Sequence, residues 1–175
     1  AKIGIMELNR PEDIEWSPVD SRIYVAFTNH TGGTQLDQSG KLLSSTHTAK
    51  RTDKTGRVWV MKETDASNPA TSLSFSYHEV WAGTQGTGAF DCANPDNLMI
   101  DRKGGVWFGT DGNFGVNNGR ADALYYIDLN PAHKTGLAGI VNPSYGKAFR
   151  VAAGPSDSEA TGPAFSSDMK TLFFS

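Results

Sequence analysis

The chain has 175 residues, 38% of them hydrophobic, with 16 Lys and Arg against 19 Asp and Glu and a formal net charge of −3. That length fits one domain or a portion of a larger one, and residues 1–175 read as a single domain. The acidic balance argues against a nucleic-acid partner, no apolar run reaches the roughly 18 residues that a membrane span needs, and the single cysteine excludes an internal disulfide.

In chain order the predicted elements are almost all strands. Residues 1–6 are too short for a signal peptide's apolar region. Residues 14–16 and 23–27 read as a hairpin. A strand over 58–63 follows the Lys54-Thr55-Gly56 turn, and 73–81 alternates loosely and carries β-favouring residues. A second hairpin joins 98–100 to 106–109 through Lys103-Gly104-Gly105. A strand over 123–128 stops at Asn130-Pro131, and strands over 149–152 and 172–174 complete the set. The chain's first residue and its stop just after 172–174 read as cut ends. The 19 glycines suit many strands joined by tight turns. No window sustains a 3.6-residue apolar period, and residues 44–52 are polar and read as loop. The fold class is therefore all-β. Polar stretches over 28–53 and 113–120 read as long loops on one face, where such proteins place their sites.

One strand-loop-strand pattern is written more than once. Arg10-Pro11-Glu12-Asp13-Ile14 with Arg22-Ile23-Tyr24-Val25 matches Asn94-Pro95-Asp96-Asn97-Leu98 with Val106-Trp107-Phe108. Pro11 aligns with Pro95, Glu12 with Asp96 and Tyr24 with Trp107. A weaker third copy is Gly162-Pro163-Ala164-Phe165 with Thr171-Leu172-Phe173-Phe174. From Pro11 to Pro95 the spacing is about twice the roughly 40–45 residues of a simple propeller blade. Several short strands suit a β-sandwich equally well. The repeated hairpin favours part of a β-propeller, about three blades with long loops on the site face.

Acids at matching places in repeated units converge, and converging carboxylates call for a cation. Glu12 and Asp96 are the candidate metal ligands, and oxygen-only donors suit hard cations such as Ca²⁺. Taken alone, Glu12 reads as a loop acid paired with Arg10. Glu159 falls two residues ahead of the Glu12 position in the third copy and is a further candidate ligand. Its alternative is a surface loop acid. Arg10 is the strong anion-binding candidate, because a guanidinium forks two phosphate oxygens. Asp13 and Asn97 read as caps of the strand entrances. Cys92 reads as a packed thiol. His30, His47, His78 and His133 have no metal-ligand spacing. Asp111-Gly112-Asn113 reads as a turn, because no Glu follows where a Ca²⁺ loop needs one.

These segments resemble the PhoX-type alkaline phosphatases. The resemblance rests on Arg10-Pro11-Glu12-Asp13-Ile14-Glu15, on Pro95-Asp96-Asn97-Leu98 with Gly105-Val106-Trp107-Phe108-Gly109-Thr110-Asp111-Gly112, and on Glu159-Ala160-Thr161-Gly162-Pro163-Ala164-Phe165-Ser166-Ser167-Asp168 with Thr171-Leu172-Phe173-Phe174. It implies a periplasmic or secreted phosphomonoesterase built as a six-bladed propeller around iron and calcium, Fe³⁺ and Ca²⁺. It implies that Glu12, Asp96 and Glu159 hold metal, that Arg10 and Glu12 are catalytic, and that Arg10 binds the phosphomonoester. The likeness covers the family's C-terminal part only. The N-terminal blades and their cysteine iron ligand have no counterpart here, and Cys92 does not take that cysteine's place. An arc of about three blades would be inactive alone and would self-associate through exposed sheet edges. Two other readings fit the residues: a calcium propeller lactonase, and a non-catalytic binding or structural module.

Overall fold

A computed structural model describes residues 10–29, 54–84, 90–111, 121–135, 144–155 and 158–175. The expected long loops over 28–53 and 113–120 fall outside these residues, apart from Thr28 and Asn29, as do His30, His47 and the stretch 44–52. The described residues form ten strands: β1 (Pro11–Ser17), β2 (Arg22–Phe27), β3 (Arg57–Glu63), β4 (Phe75–Ala82), β5 (Pro95–Ile100), β6 (Val106–Thr110), β7 (Ala123–Ile127), β8 (Ala148–Ala153), β9 (Ala164–Phe165) and β10 (Leu172–Phe173). Among the described residues, a short helix, α1 (Pro131–Thr135), and a 3₁₀ turn over Pro69–Thr71 interrupt them.

The protein is mostly β-sheet. Strands β1-β2-β3-β4 form one antiparallel meander, sheet 1, and β5-β6-β7-β8 form a second, sheet 2. Strands β9 and β10 make a separate hairpin. Local chemistry fixes these pieces. Pro11 and Pro95 each open an outermost strand, where a missing ladder N–H is tolerated. In β3, Val58 and Val60 are buried and alternate with half-exposed Trp59 and Met61, the period-2 pattern of a strand with one face on a core. The turn between β5 and β6 is held by Asp101, whose Oδ1 accepts from the backbone N–H groups of Lys103 (2.8 Å) and Gly105 (2.9 Å).

The two sheets share one register. Pro11 pairs with Phe27, and after an irregularity Ile14 pairs with Val25. Pro95 pairs with Thr110, and after an irregularity Leu98 pairs with Phe108. The third strands repeat the match, with further irregularities between Val58 and Trp59 and between Leu124 and Tyr125. Tyr24 and Trp107 are thus equivalent, as the sequence repeat predicts. In the third hairpin the innermost pair is Leu172 with Phe165, as Val106 with Ile100 is in sheet 2, so Phe173 takes the place of Trp107.

The core lies between the sheets. Tyr24, Ala26, Val58, Val60 and Trp81 of sheet 1 meet Leu98, Val106, Phe108, Tyr125 and Ile127 of sheet 2, with the Trp81 and Phe108 rings 5.3 Å apart. Cys92 is fully buried in this core, as expected of a packed thiol. Two polar ties join successive units. Leu98 N donates to Asp13 Oδ2 at 2.7 Å, and Gly162 N donates to Asn97 Oδ1 at 3.4 Å. The predicted caps therefore bridge neighbouring units. Asp13 also accepts from its own neighbour, Ile14 N.

Two elements differ from expectation. The strand over 73–81 begins at Phe75, and Leu73 is fully exposed. Helix α1 occupies the region where only a stop was expected. Its signal is Asn130-Pro131: Asn130 Oδ1 accepts from Ala132 N, and proline suits the first helical position. No helix among the described residues is long and apolar enough to cross a membrane.

Candidate metal centre at the strand entrances

The site forms where β5 begins and β6 ends. Asp96 is the second residue of β5 and only 6% exposed. Asp111 follows β6 directly. Pro95 pairs with Thr110, and Asp111 N donates to Asn94 O at 3.1 Å, so the end of β6 lies against the entry of β5 and Asp111 comes close to Asp96. Glu159 comes from the segment ahead of β9. Its neighbour Ala160 is buried and donates its N–H to Thr110 O at 3.4 Å. A Cβ on Gly109 would sit 1.6 Å from the Ala160 carbonyl oxygen. Glycine at 109 therefore lets the 158–161 segment lie flat on β6, and this carries Glu159 over the entrance. Carboxylate oxygens of Asp96, Asp111 and Glu159 all lie within 4.8 Å of one another.

Arg10 and Glu12 stand beside this cluster. Arg10 Nε donates to Glu12 Oε1 at 2.8 Å, and Nη2 donates to Asp111 Oδ2 at 3.3 Å. Partial burial works against the guanidinium charge, but the Asp111 and Glu12 carboxylates outweigh it and raise its pKa. Asp96 responds to the opposite field. Burial first, then the charges of Glu12, Asp111 and Glu159, push its carboxyl up to about 6, against a smaller pull from Arg10. Four carboxylates thus face one guanidinium. Such a place favours cations and repels a bare phosphate until cations offset the acids. The donors are all oxygens, which suits hard cations.

Among the predicted site residues, Asp96 and Glu159 join the three-carboxylate cluster. Arg10 reaches it through Asp111. Glu12 lies outside the three, bonded to Arg10, and acts on Asp96 through its charge. Asp111 is a cluster member that the sequence reading set aside as a turn residue. Its signal was the hairpin register, which closes β6 on the proline that opens β5. Cys92 lies in the core, away from the site. His78 is exposed on β4, and His133 on α1 bonds through Nδ1 to Asp128 Oδ2 at 2.8 Å.

Over residues 1–175 the chain matches the family model described as alkaline phosphatase PhoX. Among solved structures it is similar to Pseudomonas fluorescens PhoX in complex with vanadate, a transition state analogue. The identity is 22% and the TM-score 0.64, over 96% of this chain and 29% of that one. The chain therefore spans under a third of that protein's length. No curated protein matches it.

Proposed function

Because the chain belongs to the PhoX alkaline phosphatase family, we propose that it forms one wall of the metal and phosphate pocket of a metal-dependent phosphomonoesterase. The carrying observation is the cluster of Asp96, Asp111 and Glu159 within 4.8 Å, with Arg10 bonded to one of its members. Asp96, Asp111 and Glu159 would hold the cation, with Glu12 as a neighbouring ligand once it parts from Arg10. The family resemblance points to Ca²⁺ and Fe³⁺, and both are hard ions that accept an all-oxygen donor set. A cation there supplies Lewis acidity toward a phosphoryl oxygen.

The chain's own residues do the remaining work. Asp96 gives up its proton as the site fills, since only the carboxylate is a ligand. Arg10 turns from Glu12 and Asp111 to the substrate, where its planar fork holds two equatorial phosphate oxygens. Asp96 is buried, and Ala160, buried against β6, seats the 158–161 segment with Glu159 at the open side of the cluster. The architecture we propose is a propeller portion within residues 1–175. Sheet 1 and sheet 2 are two successive blades, and β9–β10 begins a third of the six in a complete ring. The shared register and the shared irregularities support this reading. A phosphomonoester substrate and a periplasmic or secreted setting belong to the same proposal.

The test is phosphate binding to the chain with and without Ca²⁺ or Fe³⁺, read by calorimetry. Binding should require the cation. Arg10→Lys should leave cation content unchanged while weakening phosphate binding. In a longer protein that carries this segment, the same change should slow p-nitrophenyl phosphate turnover roughly a hundredfold, the scale of one lost transition-state contact of about 2–4 kcal/mol. Phosphate binding indifferent to both the cation and Arg10 would overturn the proposal.

A further inference from the structure

Both strand entrances are closed by the same backbone bond. In sheet 1 Thr28 N donates to Arg10 O, and in sheet 2 Asp111 N donates to Asn94 O, each at 3.1 Å. Arg10 and Asn94 stand directly ahead of Pro11 and Pro95, so the repeat gives them one position. Their side chains go separate ways. Arg10 is exposed and reaches Glu12 and Asp111. Asn94 is only 4% exposed and turns toward sheet 1, where its Nδ2 donates to Thr28 O at 3.2 Å and to Lys54 O at 3.3 Å. Its backbone N–H donates to Thr55 O at 2.8 Å.

Thr28 bonds back across the same boundary. It is fully buried, and its hydroxyl donates to Pro95 O. A Cβ at Gly56 would run into both Thr28 O and the Pro95 ring, so the two entrances are packed without slack. Asn94 also has a φ of +59°, a left-handed conformation that asparagine visits more readily than most residues. One continuous buried path therefore runs from the backbone of Arg10 through Thr28 and Asn94 to the backbone of Asp111. It joins the candidate anion clamp to a member of the carboxylate cluster.

We propose that Asn94, with Thr28 as its partner, is a positioning residue for the cation and phosphate pocket, an inference that rests on reading the carboxylate cluster as a cation site. Asn94 touches neither ligand. Its carbonyl sets the backbone of Asp111, its side chain sets Thr28, and Thr28 sets the backbone of Arg10. Partners that orient a metal's ligands commonly govern its affinity by roughly ten- to a hundredfold.

The test uses the 175-residue chain with Asn94→Gly, which accepts the left-handed backbone and removes only the side-chain donors. Thr28→Val keeps the side-chain shape and removes the hydroxyl bond, and Thr28→Ser restores it. Val60→Ala, a core change in β3, is the stability control. Ca²⁺ calorimetry is run below the lowest melting temperature, and amide hydrogen exchange is followed on the metal-free chain. Asn94→Gly should bind Ca²⁺ at least about tenfold more weakly. Its Asp111 and Thr28 amides should exchange faster, while amides in the middle of β3 keep their wild-type rates. Thr28→Val should weaken Ca²⁺ binding in the same direction, Thr28→Ser should recover it, and Val60→Ala should melt earlier with Ca²⁺ affinity unchanged. Wild-type Ca²⁺ affinity in both Asn94→Gly and Thr28→Val would overturn the proposal. So would an affinity that simply follows the melting temperature across all the variants, which would make Asn94 structural only. A wild type that binds no Ca²⁺ would remove the cation reading instead. Exchange then decides alone: selective loosening of Asp111 and Thr28 in Asn94→Gly supports the positioning role, and its absence overturns it.

Discussion

At the entrance of sheet 1 the Glu12 side chain is 31% exposed and bonded to Arg10. At the equivalent entrance of sheet 2, Asp96 is 6% exposed and faces Asp111 and Glu159. The two acids occupy the same register position after the same kind of proline, yet their electrostatics diverge. The difference comes from what lies across the hairpin and above it. Thr28 stands in sheet 1 where Asp111 stands in sheet 2, and its hydroxyl donates to Pro95 O at 2.9 Å. No acid among the described residues is carried over Glu12 as Glu159 is over Asp96. A repeat places the backbone; neighbours outside the repeat decide which copy gathers a carboxylate cluster.

The strongest way to break that comparison is Asp96→Asn. Cation affinity should fall strongly, because one of the three clustered carboxylates loses its charge. The metal-free chain should become more stable above neutral pH. The Asp96 carboxyl titrates at about 6 when folded against an ordinary value of 3.8. Between those values the folded state binds the extra proton, so its stability falls as pH rises through that window. Above it the cost of ionising Asp96 is about 3 kcal/mol, which asparagine avoids. Thermal melts of metal-free wild type and variant at pH 4 and pH 8 should differ at pH 8 and nearly coincide at pH 4. Asp128 works the other way. Burial alone would raise its carboxyl, but hydrogen bonds from Ser144 and His133 outweigh burial and lower it. Its contribution is therefore lost as pH falls below the ordinary carboxylate range.

Gly109→Ala attacks the second entrance without touching a ligand. The new Cβ meets the Ala160 carbonyl, so the 158–161 segment must lift. Denaturant titration should register a loss of roughly 2–3 kcal/mol, at the upper end of overpacking costs. Cation binding should weaken as Glu159 moves away, whereas a loss of stability with cation binding intact would detach Glu159 from the site.

The ties between units sharpen the comparison. Asp13→Ala leaves the half-buried Leu98 N–H without its acceptor and should cost about 1–3 kcal/mol. Asn97→Ala removes a longer, exposed bond and should cost less than about 1 kcal/mol. Chemical denaturation of the two variants reads the difference directly.

The smallest stability effect is expected at the first entrance. Glu12→Gln breaks an exposed ion pair with Arg10, for which a few tenths of a kcal/mol is the usual scale. Its informative readout is cation content, which should fall if Glu12 becomes a ligand and stay unchanged if it only positions Arg10.

The strands were legible in the sequence because each carries alternating or doubly apolar residues bounded by Gly, Pro or Asp turns. The Pro11 and Pro95 alignment held because register is a property of the hairpin, and the hairpin is local. Convergence of Asp96 and Glu159 was legible only through the repeat and the family resemblance. Asp111 was not, because its place beside Asp96 depends on how the end of β6 lies against the entry of β5. Helix α1 was missed because five residues leave no periodicity to read.

The central claim is that the second entrance, with Asp96 at its centre, is the cation site. Ca²⁺ titration calorimetry of wild type and Asp96→Asn at pH 5 and pH 7.5 tests it most directly. The account predicts tighter binding at pH 7.5, release of a proton where Asp96 is still protonated, and loss of both features in Asp96→Asn. Binding of equal strength at the two pH values, unchanged in the variant, would contradict it.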